Sequence, residues 1–376
     1  MRIEVNRLEF LKRIKIADQI IKDNKIKPIL SNIYAKVDRN ELKFYGTDLD
    51  TTIVTFMNID SLNEEGEFTF SFSLVDEYLK EIKDENITIR TEKEILFIET
   101  KDSSSEFLMV NPKDFPNNID NFKLNDTTKK IELESKELID IIQKVSFAAD
   151  VTQNNIAMNC VRIESVAKHL YFIAAETYRL AYLSKYINKD IDNFEVSIPL
   201  NAIFALSKIL SSLPPDNVKI YQNDNKIYFA VENIIISTRQ VELKYPNYQS
   251  ILSNTTYDKS LKINADTFNK ILKRAMVFVR NNSESKYGTT FTFSDNKMNV
   301  HGISDVAKIN EDIPVEYTGD SLKISLNIKF LTDFLQNISK DDNVIVEMYK
   351  NDSAVKMFRE NDDNYLYIVM PLTLRD

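Results

Sequence analysis

One pattern recurs three times along this chain at intervals of about 130 residues, and the recurrence limits the fold more than any single motif. In the middle copy Phe194, Val196 and Ile198 alternate with polar residues, the period of a half-buried strand. Leu200, Ile203, Leu206, Leu210 and Leu213 then fall at helical steps of three and four. Pro214 and Pro215 cannot continue that helix, and Asp216 and Asn217 turn the chain into Val218 and Ile220. Upstream, Phe68, Phe70 and Phe72 lead to Leu74, Tyr78, Leu79 and Ile82, then to Ile87 and Ile89. Downstream, Leu322, Ile324 and Leu326 lead to Ile328, Leu331, Leu335 and Ile338, then to Val344 and Val346. The turns at Asn86, Asn217 and Asn343 are 131 and 126 residues apart, far beyond the roughly 20 to 50 of a solenoid, so the repeating object is a domain.

The rest of each copy keeps step. A helical stripe opens each one: Leu8, Leu11, Ile14 and Ile16 after Asn6; Leu138, Ile141 and Ile142 after Ser135; Phe268, Ile271 and Leu272 after Asn264. A hairpin follows whose second strand ends in Gly46, Ala174 or Gly302, spaced by 128 and 128. The closing strands, 107–110, 234–241 and 365–370, run in two copies into an aromatic-proline corner, Phe115-Pro116 and Tyr245-Pro246. The pattern predicts an α+β fold of three tandem domains, each with two helices packed on antiparallel strands, over residues 1–125, 126–253 and 254–376. Short polar connectors, 125–128 and 253–256, separate them.

Composition narrows the function. With 43% hydrophobic and 28% charged residues this is the chain of a soluble globular protein, and no apolar run reaches the ~20 residues of a membrane span. Residues 1–19 are charged throughout and lack the apolar centre of a signal peptide, so a cytoplasmic location is expected. Cys160 is the only thiol, and His169 and His301 are the only imidazoles, all three in settings that suit structure rather than catalysis. Five glycines supply no phosphate-cradling loop. Asp341 with Asp342, and Asp362 with Asp363, sit at turns, where aspartate is favoured for local hydrogen bonds, and Asp48, near Asp50, follows a strand end in the position of Glu176 and Ser304, a repeated structural feature. Neither a metal nor a cofactor is expected.

The net charge of −9 argues against nucleic acid until its distribution is considered. The first helix carries Arg7, Lys12, Arg13, Lys15 and Lys22 against Glu9 and Asp18, with Lys25 just beyond. The third copy carries Lys270, Lys273, Arg274 and Arg280 against Asp266. Lys136 and Lys144 in the second copy are balanced by Glu137 and Asp140. Solvated helix faces would look the same one at a time. Here the acidic surplus lies elsewhere, as a basic inner surface within an acidic shell would require.

The ordered motifs carry a resemblance. Lys27-Pro28-Ile29-Leu30-Ser31-Asn32 followed by Tyr45-Gly46-Thr47-Asp48-Leu49, then residues 174–181 (AAETYRLA), 244–252 (KYPNYQSIL) and 367–374 (YIVMPLTL), resemble in order the signatures of the bacterial sliding clamps, the beta subunits of DNA polymerase III. The resemblance spans the chain. It implies a non-catalytic processivity factor: a ring of two chains joined head to tail, six similar domains with helices lining the hole, encircling double-stranded DNA without reading sequence. The polymerase catalytic subunit, the clamp loader and other partners would bind through short linear peptides.

By motif, the peptide groove falls on Ala175, Thr177, Tyr178, Arg179, Leu180, Pro246, Ile251, Ile368, Met370, Pro371 and Leu372. Thr177 and Tyr178 replace the family's Gly-His, Gln249 and Ser250 replace a basic pair, and Thr373 replaces an arginine, so the polar rim departs while the apolar floor is kept. Strand alternation puts Ile368, Met370 and Leu372 on one face. Lys12, Arg13, Lys15, Lys22, Lys25, Lys144, Lys270, Lys273 and Arg274 are the expected DNA-facing cations. An edge strand at Phe107 and Met109 is expected to meet the third domain of a second copy near Phe278 and Val279. Two other readings stand beside this one: a structural scaffold of repeated domains that binds no DNA, and an enzyme with Asp48, Glu176 and Arg179 between domains.

Overall fold

A computed structural model describes residues 1–116, 129–152, 155–188, 191, 193–223, 225–253, 256–282 and 285–373. The expected connectors at 125–128 and 254–255 lie outside these. The chain divides into two compact units, Met1–Ile139 with Asn201–Gln240, and Asp140–Leu200 with Val241–Asp376. The described residues form seven α-helices: α1 Arg7–Ala17, α2 Phe72–Glu81, α3 Ser135–Ser146, α4 Leu200–Ser211, α5 Tyr248–Ser253, α6 Ala265–Val279 and α7 Ile328–Leu335. Nearly everything else regular is antiparallel strand.

The sheets do not respect the repeat boundaries. In the first unit an eight-stranded sheet runs from second-repeat strands, ending on Ile234–Arg239, into first-repeat strands, beginning with Thr51–Asn58. The two meet in register from Ile234 opposite Thr55 to Thr238 opposite Thr51. In the second unit a nine-stranded sheet does the same one repeat later: Arg179–Tyr186 pairs with Tyr365–Val369, Arg179 opposite Val369 and Leu183 opposite Tyr365. Two sheets stay within single repeats. The five-stranded one ends on Ser104–Leu108, and the four-stranded one ends on Lys308–Pro314 and on Leu322–Asn327.

Helix starts follow the expected chemistry at two of three places. The Asn6 side chain accepts the N–H of Glu9 at 3.0 Å and that of Asn264 accepts Thr267 N–H at 3.1 Å. Ser135 instead is the first residue of α3, and its Oγ accepts the N–H of Asp216 at 3.1 Å. The small residues closing the hairpins have a steric cause. A Cβ on Gly46 would lie 1.9 Å from the carbonyl oxygen of Ala17, where α1 ends against the sheet, and one on Gly302 would lie 2.6 Å from Val279.

The ladders correct the helix register. Asn6, Glu134 and Asn264 stand opposite Asn86, Asn217 and Asn343, so the equivalent core positions are Phe10, Leu138 and Phe268, all buried. Leu8, expected in that stripe, is 61% exposed. The same alignment puts Arg13 at the place of Ile141 and Ile271, which are core residues. Leu74 is likewise exposed, and α2 buries Val75, Asp76 and Leu79 instead.

Candidate functional site

The expected groove residues lie in the second unit in two groups. Ala175, Leu180 and Ile368 form one buried apolar floor with Cys160, Ile173, Tyr245 and Tyr248. The cross-repeat ladder fixes it, because Leu180 stands opposite both Ala175 and Ile368. Tyr245 is 6% exposed, and Tyr248 is held by its hydroxyl, which donates to Glu164 at 2.7 Å. Burial pushes the Cys160 thiol up to about 11, so it is a neutral, inert core group. Above the floor, Pro246 is half-buried and Ile251 on α5 is exposed, as are Thr177 and Tyr178 in the turn before Arg179.

Met370, Pro371 and Leu372 form the second group. The strand ends at Val369, so the expected alternation of Ile368, Met370 and Leu372 on one face does not occur: Ile368 is core, and the chain leaves the sheet after it. Met370 N–H donates to the Tyr178 carbonyl at 2.8 Å and Leu372 N–H to that of Ser325 at 2.7 Å. This run walls a cavity of about 540 Å³ with Lys323, Ile324, Ser325, Asn351, Asp352 and Thr373. None of those six was expected from the sequence. Three come from an edge strand, two from a turn and Thr373 from the end of the run itself, with no shared periodicity to mark them.

Arg179 is not an open groove cation. Its Nε lies 2.6 Å from Glu176, its Nη1 donates to Asp333 at 2.9 Å, and its guanidinium sits 4.4 Å from the centre of the Phe330 ring. Burial lifts the Glu176 carboxyl above its ordinary value, against the pull of Arg179. Asp48 is equally committed, in the first unit. Its carboxylate accepts the N–H groups of Asp50 and Thr51 at 3.2 and 2.8 Å and the side-chain amide of Asn201 at 3.0 Å. All three residues of the enzyme reading are thus structural. Among the described residues no three potential metal ligands lie together.

The expected cations divide as well. Arg13 is 5% exposed, bound to Glu9 at 2.5 Å and donating to Thr55 at 3.3 Å, so it leaves the DNA-facing set. Lys144 is paired with Asp140, Lys270 with Asp266, Arg274 with Glu311, and Lys15 lies 3.8 Å from Asp76. Lys22 is exposed, 3.9 Å from Asp48. Lys12, Lys25 and Lys273 have no ion-pair partner among the described residues.

At the expected interface, Ser104–Leu108 is indeed an edge strand. Phe107 turns inward, Met109 packs on the same core, and Leu108 is 87% exposed. Phe278 and Val279 end a helix, and Val279 is fully buried, so neither can extend a strand ladder. The third repeat's open edge on that side is Lys308–Pro314.

Three family models for the DNA polymerase III beta subunit match in succession: its N-terminal domain over residues 1–120, its central domain over 132–247 and its C-terminal domain over 249–373. The beta sliding clamp of Buchnera aphidicola subsp. Rhopalosiphum padi is 26% identical over 348 residues, 92% of each chain. The crystal structure of the DNA polymerase III subunit beta from Pseudomonas aeruginosa superposes with a TM-score of 0.91 at 22% identity, over 99% of this chain and 100% of that one. The beta subunit from Thermotoga maritima gives 0.89 at 21%, over 100% of both.

Proposed function

This chain belongs to the DNA polymerase III beta subunit family, sliding clamps that are not themselves enzymes, and we propose that two copies of it close head to tail into a ring around duplex DNA. The domains would divide at 125/126 and 253/254. The ring would hold the polymerase to its template, take partner peptides on the floor at Leu180 and Ile368 and along Met370–Leu372, and work in the cytoplasm. Lys12, Lys22, Lys25 and Lys273 are its best-placed phosphate contacts, non-specific ones.

The observation that carries the ring is the pattern of closed and open seams. Each closed seam joins the last strand of one repeat to a fixed strand of the repeat before it. The two strands left without such a neighbour are the first repeat's last strand, Ser104–Leu108, and the third repeat's counterpart of Thr51–Asn58 and Arg179–Tyr186, which is Lys308–Pro314. One copy's open edges are therefore the two halves of a third seam. Extending the ladders sets residues 103–107 against 307–311 of a second copy, Phe107 opposite Ala307. Side chains agree: Leu74 is 57% exposed where its counterpart Ala202 is fully buried, and Phe278 is only partly buried where Ile20 and Ala148 are buried.

Loading onto nicked circular DNA by a matching clamp loader and ATP tests the ring. The protein should stay on the circle in high salt and leave once the DNA is cut, since ordinary phosphate contacts lose roughly 10³ to 10⁵ in affinity between 50 and 200 mM salt. Equal loss from circle and linear DNA would rule the ring out.

A further inference from the structure

The segment joining α1 to the next strand is a rigid turn with an aliphatic tip. Ile26 is 92% exposed, among the most exposed large apolar side chains of the described residues. It is not held there loosely. The Asn24 side chain accepts the N–H groups of Ile26 and Lys27 at 3.1 and 2.9 Å, Asn24 N–H donates to Ser31 Oγ at 2.7 Å, and Pro28 begins the next turn. Lys22, Lys25 and Lys27 flank the tip in sequence with the single acid Asp23; Lys22 lies 3.9 Å from Asp48, while Lys25 and Lys27 are exposed and have no ion-pair partner among the described residues.

A lone exposed isoleucine needs no explanation. An isoleucine held in a hydrogen-bonded turn between two exposed, unpaired lysines is a different object, an apolar wedge with its own phosphate anchors. The corresponding loop of the second repeat also exposes aliphatic residues, Val151 and Ile156, but carries Asp150 and no lysine in its described part. That of the third has Arg280 and Lys286 with no exposed aliphatic side chain among its described residues. Among the described residues, only the first repeat's loop combines the two.

We infer that the 22–28 turn is a wedge that reads DNA continuity: Lys25 and Lys27 hold phosphates while Ile26 presses against a base step that is already unstacked, at a mismatch, nick or gap. This rests on the DNA reading above. Apolar side chains enter duplexes by prising base steps apart, which is costly in continuous DNA and far less so where pairing is already lost. The turn would therefore slide over paired duplex and linger at a defect.

The test is single-molecule dwell time of the loaded protein on two closed circular DNAs, one fully paired and one carrying a three-base mismatch with 2-aminopurine in the bubble. The wild type should dwell about tenfold longer at the mismatch, the order expected when an aliphatic side chain of this size gains a buried contact, and should change the 2-aminopurine emission there. Ile26→Ser, at an exposed position that the fold does not use, should lose both effects. Lys25→Gln with Lys27→Gln should shorten retention equally on both circles. Retention without mismatch preference, or an Ile26→Ser protein with the wild-type ratio, overturns the wedge and leaves the ring standing. A wild type retained on neither circle overturns the ring and the wedge together. Ile26-dependent sedimentation with phosphatidylglycerol vesicles, in a wild type that ignores the mismatch, reassigns the tip to an anionic lipid surface.

Discussion

Thr51 and Arg179 hold the same place in the two closed seams, opposite Thr238 and Val369, and the surroundings they have acquired could hardly differ more. In the first unit the side-chain bond across the seam is neutral: the Thr51 and Thr238 hydroxyls share a hydrogen bond at 3.0 Å, beside a Thr47–Thr52 pair at 2.9 Å, all buried, and the Arg13 guanidinium reaches the seam strand only at Thr55. In the second unit a guanidinium lies between two carboxylates and over an aromatic ring. The backbone register is common to both, so the ladder and the apolar faces behind it set the seam, while the polar plug is free to vary. A neutral hydroxyl pair loses little if altered, whereas a buried ion cluster fails badly when one charge is removed. The open edges carry neither plug: Ala307 stands at the position of Thr51 and Arg179, and in the proposed ring Phe107 would lie opposite it. A seam that must form between separate chains is better made of backbone and apolar contacts, which need no buried charge to find its partner.

The largest effect should come from breaking the charged seam. Arg179→Met strands Glu176 and Asp333 in a buried site with only Lys329 beside them, and should cost about 4 kcal/mol in chemical denaturation. Thr51→Val, in the neutral seam, should cost only about 1 kcal/mol. Equal losses would show that the two plugs are energetically alike and that the contrast is only one of appearance.

The open seam comes next. Thr100 N–H donates to Ser103 and Met109 N–H to Glu94, so the odd-numbered residues of the Ser104–Leu108 strand bond inward and Glu106 faces the open edge. Glu106→Pro removes one outward donor and leaves the five-stranded sheet its own bonds. It should weaken the dimer by about 3 kcal/mol, roughly a hundredfold, with an unchanged melting curve for the separated chain. A variant that sediments as a dimer at the wild-type concentration would move the interface elsewhere. Phe278→Arg should act in the same direction from the partner side.

Met370→Ala tests the groove. Anchors of this kind cost about 2 kcal/mol when truncated, so calorimetry with a partner peptide should show roughly thirtyfold weaker binding by a protein that remains a folded dimer. Unchanged affinity would shift the site toward Ile251 and Tyr178.

How far the sequence foretold all this depends on the range of the interaction. The repeats, both helices of each copy and the Asn6 and Asn264 caps were legible because each is written within a dozen neighbouring residues. The sequence of the first helix points two residues out of register, since Leu8 and Phe10 both follow Asn6 and the apolar stripe that would decide between them is interrupted by Arg13 on the core face. Cross-repeat pairing left no local trace, because a strand in mid-sheet and one at an edge alternate alike. The cavity beside Met370 was illegible for the same reason: Lys323, Ser325, Asn351 and Asp352 are ordinary surface residues until the fold gathers them.

The smallest effect belongs to the first unit, on the side of its neutral seam where α1 ends. Burial raises the Asp18 carboxyl from 3.8 to about 6, with Lys208 opposing the shift and Asp76 adding to it. Asp76 is itself buried and held by Lys80 and by Lys15 at 3.8 Å. Because the folded state binds the proton more tightly than the unfolded chain, this carboxyl's contribution to the fold is fully present below about pH 4. The contribution is lost as the pH rises through about 6. At pH 7 the ionised group is then a burden, and Asp18→Asn should relieve it. The side chain is only half-buried and solvent screens it, so the gain should be about 1 kcal/mol at pH 7 and should vanish at pH 4, as read by urea denaturation at the two values. A gain that persists at pH 4 would mean the asparagine makes a new bond, and a loss at pH 7 would mean that the attraction of Lys208 outweighs the burial.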